Sequence, residues 1–126
     1  QWDDHEVRDN WYHSQIVPEK APYPYSERRV AILAERARQA FLEGYPIAMD
    51  TGADALIYRS IPMGPLVEIF ALDMRSYRGA NSDNLQTAVS TETAFLGNRQ
   101  VQWLADALTR SRATWKIVAA DMPIGL

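Results

Sequence analysis

The stretch LVEIFAL, from Leu66 to Leu72, is apolar at every position except Glu68, and a strand without polar alternation is built to be covered on both faces. A second such run, WKIVAA from Trp115 to Ala120, follows RQVQWLADALTR, in which Val101, Leu104 and Leu108 recur at helical spacing, and a short polar break at SRAT. A helix leading into an apolar strand is the return half of an αβ crossover, because parallel neighbours need a connection long enough to hold a helix. The run from Ile57 to Ile61 alternates more. It is joined to LVEIFAL by PMGP, a turn-forming sequence, so the two runs predict a hairpin. Together these features predict an α/β fold: a layered sheet with helices outside and an inserted hairpin.

Upstream, SQIVPEKAPYPY from Ser14 to Tyr25 carries three prolines. Each restricts itself and its predecessor, which predicts an extended surface loop. Ser26 is placed to cap the helix that follows, with Glu27 in its first turn and Gly44 as its stop. Val30, Leu33, Ala34, Ala37 and Phe41 mark the inward face of that helix, and Arg28, Glu35, Arg38 and Gln39 its solvated face. Gly79 to Gly97 is polar and irregular, a long loop with room for one short helical turn. Loops of that length in compact domains are usually functional or mobile.

With 126 residues, 47% hydrophobic and 23% charged, the chain has the material for one domain with a real core. A net charge of −3 without a Lys/Arg stripe gives no electrostatic case for nucleic acid or an anionic membrane. The absence of cysteine excludes internal disulfides, thiolate zinc sites and a thiol nucleophile. No apolar run approaches the roughly 18 residues that cross a bilayer. The chain opens on Gln1 and closes on DMPIGL just after a strand-like run, which is expected of a fragment incomplete at both ends.

The chemistry concentrates in WDDHEVRDNW, where Asp3, Asp4, His5 and Glu6 stand side by side between Trp2 and Trp11. Carboxylates with an imidazole suit hard or borderline cations, which polarise phosphoryl oxygens and activate water. The polar run points to a turn at a sheet edge. On an extended segment Asp4 and Glu6 would share one side and Asp3 and His5 the other. Such a cluster is more often a solvated turn or helix start, but flanking aromatics lower the local dielectric and move pKa values. His13, Asp73 and Asp121 are further candidates, and none has a spacing that demands a metal site.

Three separated stretches, WDDHEVRDNWY, YRSIPMGPLVEIFALDMRSYRG and FLGNRQVQWLADALTRSRATWKIVAADMP, resemble in order and spacing the middle of the PhoD-like alkaline phosphatases, within the calcineurin-like metallophosphoesterases. The resemblance runs over essentially the whole chain and is weakest between His13 and Ala55 and in the loop after Gly79. It implies part of a four-layer sandwich of mixed sheets flanked by helices. It implies metal-assisted hydrolysis of small or polymeric phosphate esters, calcium together with iron as the metals, and an extracytoplasmic location reached by the twin-arginine route.

DDHE takes the place of the superfamily's Gly-Asn-His-Asp/Glu block. Asp4 therefore stands for the metal ligand and His5 for the residue that contacts phosphate or protonates the leaving group, with Asp3 and Glu6 orienting them. Asp73, Arg75 and Arg78 in LDMRSYR fall at a strand end, where an Arg could hold a phosphate oxygen. A structural Asp/Arg ion pair is the commoner use of such residues. Arg8 and Asn10 are supporting candidates, and Trp103 and Trp115 are expected in the core. The superfamily's other ligand blocks do not occur in this sequence, so the resemblance implies that flanking segments carry them. The alternatives are hydrolysis of another ester or a calcium-bound or metal-free interaction domain derived from the same fold.

Overall fold

The computed structural model describes residues 2–46 and 56–122. In chain order they form helix α1 (Val30–Gly44), strands β1 (Arg59–Met63) and β2 (Val67–Ala71), helix α2 (Asn98–Arg110) and strand β3 (Trp115–Ala119). The strands make one sheet in the order β1-β2-β3, with β1 antiparallel and β3 parallel to β2. The fold is α/β with a mixed sheet, as the pattern predicts. The hairpin turns at Gly64, whose φ of +67° is one that side chains with a Cβ rarely adopt. Its register sets Ile61 opposite Ile69, which in turn lies beside Ile117.

Helix α1 starts at Val30, not at Ser26. Backbone pairing holds the preceding residues extended: Val17 N–H donates to Arg28 C=O (2.8 Å) and Val30 N–H to Gln15 C=O (3.0 Å). Glu27 is therefore not a first-turn residue. Its carboxylate accepts from Arg29 N–H at 2.9 Å and pairs with Arg29 Nη2 at 2.7 Å. The same pairing draws the proline-rich stretch inward, and Val17 is fully buried. Val30, Ala34 and Phe41 face the core as their spacing predicts, with Leu33 and Ala37 partly buried beside them. Trp2 meets Trp11 and Phe41 edge-on, at ring-centre distances of 6.2 and 5.3 Å, so the start of the chain seats itself on α1.

Helix α2 turns a different face inward from the one expected. Val101 is exposed, while Gln100 is buried and Trp103, Leu104 and Leu108 are half-buried. Gln100 explains the offset. Its Oε1 accepts from Asp73 N–H, and its Nε2 donates to Asp73 C=O and Leu96 C=O, each at 2.8 Å. One amide thus satisfies the backbone just past β2, and an apolar replacement would leave those groups buried and unbonded. Gln100→Leu is expected to lower stability by about 2–3 kcal/mol. A urea midpoint within error of wild type would show that water takes over those bonds.

Strand β3 corrects a second expectation, since WKIVAA is not buried among the described residues. Trp115 is 67% exposed, and Ile117 and Val118, on the same outermost strand, are also exposed. Trp115 is accordingly not a core residue, whereas Trp103 packs against Tyr58 at 4.9 Å between ring centres. In the long loop a single 3₁₀ turn, Thr91–Thr93, is capped reciprocally by Ser90 and Thr93. The loop closes where Gly79 N–H donates to Ala94 C=O at 2.8 Å. A Cβ on Gly79 would lie 2.5 Å from the Glu92 carbonyl oxygen. No described helix is long and apolar enough to cross a membrane.

Candidate active site

The DDHE segment is a tight turn and not an extended edge. Asp4 C=O accepts N–H bonds from Val7 (2.9 Å) and Arg8 (2.8 Å), winding the chain back on itself. Glu6 Oε accepts from Asp3 N–H at 2.7 Å and locks the turn from outside. Asn10, at φ +52°, aims its own N–H back at Asp4 Oδ2, 2.6 Å away. Asn tolerates that left-handed backbone better than most residues. Asn81 Nδ2 then donates to Asn10 C=O at 2.7 Å, tying the long loop to the turn. The winding separates neighbours in sequence: the Asp4 carboxylate is buried, while the His5 side chain is 73% exposed. His5 Nε2 lies 3.5 Å from Asp4 Oδ1 and 3.3 Å from Asp9 Oδ1.

Beneath the turn is the end of the sheet. Arg75, just past β2, has its side chain only 4% exposed and reaches Asp4 Oδ2 through Nη2 at 3.5 Å and Asp121 Oδ2 through Nε at 3.2 Å. Asp121 follows β3, so one guanidinium joins the turn to the ends of two adjacent parallel strands. Burial works against the charge on Asp4, but the Asn10 N–H and the Arg75 guanidinium outweigh it and hold its pKa below the ordinary value. Burial prevails at Asp121, whose pKa is raised despite Arg75. Asp121 Oδ1 and Arg75 Nη1 are buried without a hydrogen-bond partner among the described residues.

The structure brings Asp3, Asp4, His5, Glu6 and Asn10 together in one turn and sets Arg75 under it. Asp73 is directed elsewhere: Oδ1 accepts from Arg75 N–H (3.0 Å) and Ser76 N–H (2.9 Å), so its carboxylate shapes its own turn. Arg78 lies over the Phe95 ring at 5.3 Å and donates to Met122 Sδ at 3.7 Å. Asp121, a candidate already from the sequence, joins the site through Arg75, and Asp9 joins it with little advance signal. Asp9 stands one helical turn past His5, and Asp121 is marked only by ending an apolar strand. No three His, Asp or Glu side chains among the described residues converge closely enough to hold a metal ion. The described residues therefore do not complete a metal site by themselves. They offer one buried, charged carboxylate beside an exposed imidazole held between two acids, a pair able to position an oxyanion and to move a proton.

Comparison with known proteins places the chain in a family. The model of the family described as PhoD-like phosphatase matches residues 1–126. Alkaline phosphatase D of Bacillus subtilis (strain 168) is 32% identical over 130 residues, which take in 96% of this chain and 21% of that protein. A solved structure described as "Structure of PhoD" aligns with a TM-score of 0.66 at 31% identity, over 94% of this chain and 23% of the other. The chain spans about a fifth of the length of the curated relative it matches.

Proposed function

The chain belongs to the PhoD-like phosphatase family, and from that membership we propose that the whole protein hydrolyses phosphate esters, with residues 1–126 as part of its catalytic domain. The observation that carries the proposal is the Arg75 strut. It holds the Asp4–His5 turn over the C-terminal ends of β2 and β3, where open α/β sheets gather their reactive groups.

In this reading His5 is the working group. Its exposed ring, held by Asp4 and Asp9, can contact the oxygens of the transferring phosphoryl group or give a proton to the departing alkoxide. Asp4 is a carboxylate kept charged for a hard cation, calcium with iron being the family expectation, and the remaining ligands would come from the rest of the domain. Such a cation would polarise the phosphoryl oxygen and activate water. Asp3, Glu6 and Asn10 set the shape of the turn, and Arg75 fixes its height above the sheet. Arg78 is within electrostatic reach of Asp4 and Asp121 and is proposed as a source of positive potential for an anionic substrate. The exposed faces of β3 fit a strand that the rest of the domain covers. An extracytoplasmic location belongs to the same proposal.

The test is phosphate release from para-nitrophenyl phosphate by the whole protein at alkaline pH, with and without added calcium. Release is expected. A folded, metal-loaded protein that is inactive on monoesters and diesters would leave the fold standing and replace phosphatase with another esterase or a binding role.

A further inference from the structure

Asn81 lies in the long loop, 71 positions beyond Asn10, and its Nδ2 donates to the Asn10 carbonyl at 2.7 Å. On the other side of Asn10, the backbone N–H donates to Asp4 Oδ2 at 2.6 Å. The residue between these two bonds is left-handed, at φ +52°. Asn visits that conformation more readily than most residues with a Cβ, but it remains the less favoured one. The net worth of one hydrogen bond is comparable to the cost of a left-handed backbone, so the conformation of Asn10 depends on what holds it. The Asp4 carboxylate holds the N–H side, and Asn81 holds the C=O side.

The root of the loop is built to keep Asn81 in place. Two residues before it, Gly79 N–H donates to Ala94 C=O, and the backbone passes so close to Glu92 that a Cβ on Gly79 would collide. Arg78 lies over the Phe95 ring and joins the two legs of the loop. Past Asn81 the bonding turns local: Asn84 N–H and Gln86 Nε2 donate to Ser82 Oγ, and Ser90 and Thr93 cap one another. At the turn, Asp9 faces His5 and Trp11 is fully buried. A change of backbone at Asn10 cannot be taken up by Trp11, which the core fixes. It is passed back to Asp9 and Asp4, the two acids that flank the imidazole.

We propose that Asn81 is a positioning residue for the Asp4–His5 pair. By fixing the Asn10 carbonyl it keeps Asn10 left-handed, which keeps the Asn10 N–H on Asp4 Oδ2 and leaves Oδ1 facing the imidazole. Asn81 acts through Asn10 and does not contact the substrate. The proposal rests on the phosphatase reading for its effect on turnover, whereas the geometry of the clasp stands apart from that reading.

The test uses the whole protein, as wild type, Asn81→Ala, Asn81→Asp and Asn81→Gln, with para-nitrophenyl phosphate as substrate. Hydrogen–deuterium exchange over residues 9–11 is followed in parallel. Asn81→Ala is expected to lower kcat about two- to tenfold, the range for one hydrogen bond, with KM within about twofold of wild type. Exchange at the Asn10 amide should quicken by a similar factor. Asn81→Asp has the same shape without the donor and should lose as much, while Asn81→Gln keeps a donor and should recover part. Quicker exchange with kcat unchanged would reduce the clasp to a structural bond and overturn the proposal. So would a fall in kcat without quicker exchange, or one carried mainly by KM, which would make Asn81 a substrate contact. If wild type releases no phosphate, the phosphatase reading fails, and exchange alone decides the clasp: a quicker Asn10 amide in Asn81→Ala upholds it and an unchanged one removes it.

Discussion

Arg75→Ala is expected to destabilise the whole protein by about 3–5 kcal/mol, the usual cost of removing one partner from a buried ion pair. The guanidinium is the shared counter-charge of Asp4 and Asp121, and neither carboxylate has solvent to fall back on: their side chains are 10% and 1% exposed. Arg75→Lys should recover only part of the loss, because an ammonium is a point charge and cannot face two carboxylates with separate nitrogens. Pairing Arg75→Met with Asp121→Leu should be milder than Arg75→Met alone, since the double variant leaves one fewer buried charge unpaired. The pH dependence has a definite sign. Asp4 has a lowered pKa, so its contribution is present above the ordinary value of 3.8 and is lost on acidification through the folded value. In Arg75→Ala the unpaired carboxylates are instead relieved by taking up protons. The gap between wild type and variant should therefore narrow as pH falls. Urea titrations at neutral and acid pH check both points, and a neutral-pH difference under about 1 kcal/mol would mean that other groups pair these acids.

Local patterns in the chain were enough to read the hairpin and the helix-to-strand return, because each is set by periodicity and turn residues within a few positions. What escaped that reading depends on partners distant in sequence. Ser26 has the chemistry of a cap, but pairing of Arg28 and Val30 with Gln15 and Val17 keeps the chain extended past it. Gln100 looks like a solvated helix residue until Asp73 is beside it, 27 positions away in sequence. Arg75 invites pairing with Asp73, two residues before it, yet its side chain turns to Asp4 and Asp121 while Asp73 bonds to its backbone. The apolar content of WKIVAA is a true record of a strand, but not of its cover, since composition tells what a strand requires and not which elements supply it. Within the site, the DDHE turn was legible as a cluster and its burial pattern was not. Winding of the backbone at Asp4, and not strand alternation, sends Asp4 inward and His5 outward.

His5→Ala is the substitution with the largest expected effect on activity and the smallest on the fold. The ring is 73% exposed and its contacts are to Asp4 and Asp9 at 3.3–3.5 Å, so stability should stay within about 0.5 kcal/mol of wild type. Turnover should nonetheless fall roughly 10²–10⁴-fold, the range for losing a positioned proton donor or oxyanion contact. Asp4 behaves differently. Asp4→Ala is expected to lose most of the activity and the bound metal, but it also strands the Asn10 N–H and half of the Arg75 pairing, so lost activity alone would not separate ligation from folding. Asp4→Asn does separate them: its amide oxygen can still accept from Asn10 while the negative charge is gone. Metal content, measured on the purified whole protein, then distinguishes the two residues. Asp4→Asn should lose metal with the turn intact, and His5→Ala should keep metal and lose turnover. Metal loss in His5→Ala would make the imidazole a ligand. Normal turnover and metal content in Asp4→Asn would remove that carboxylate from the site and leave it with the structural task its contacts with Asn10 and Arg75 already perform.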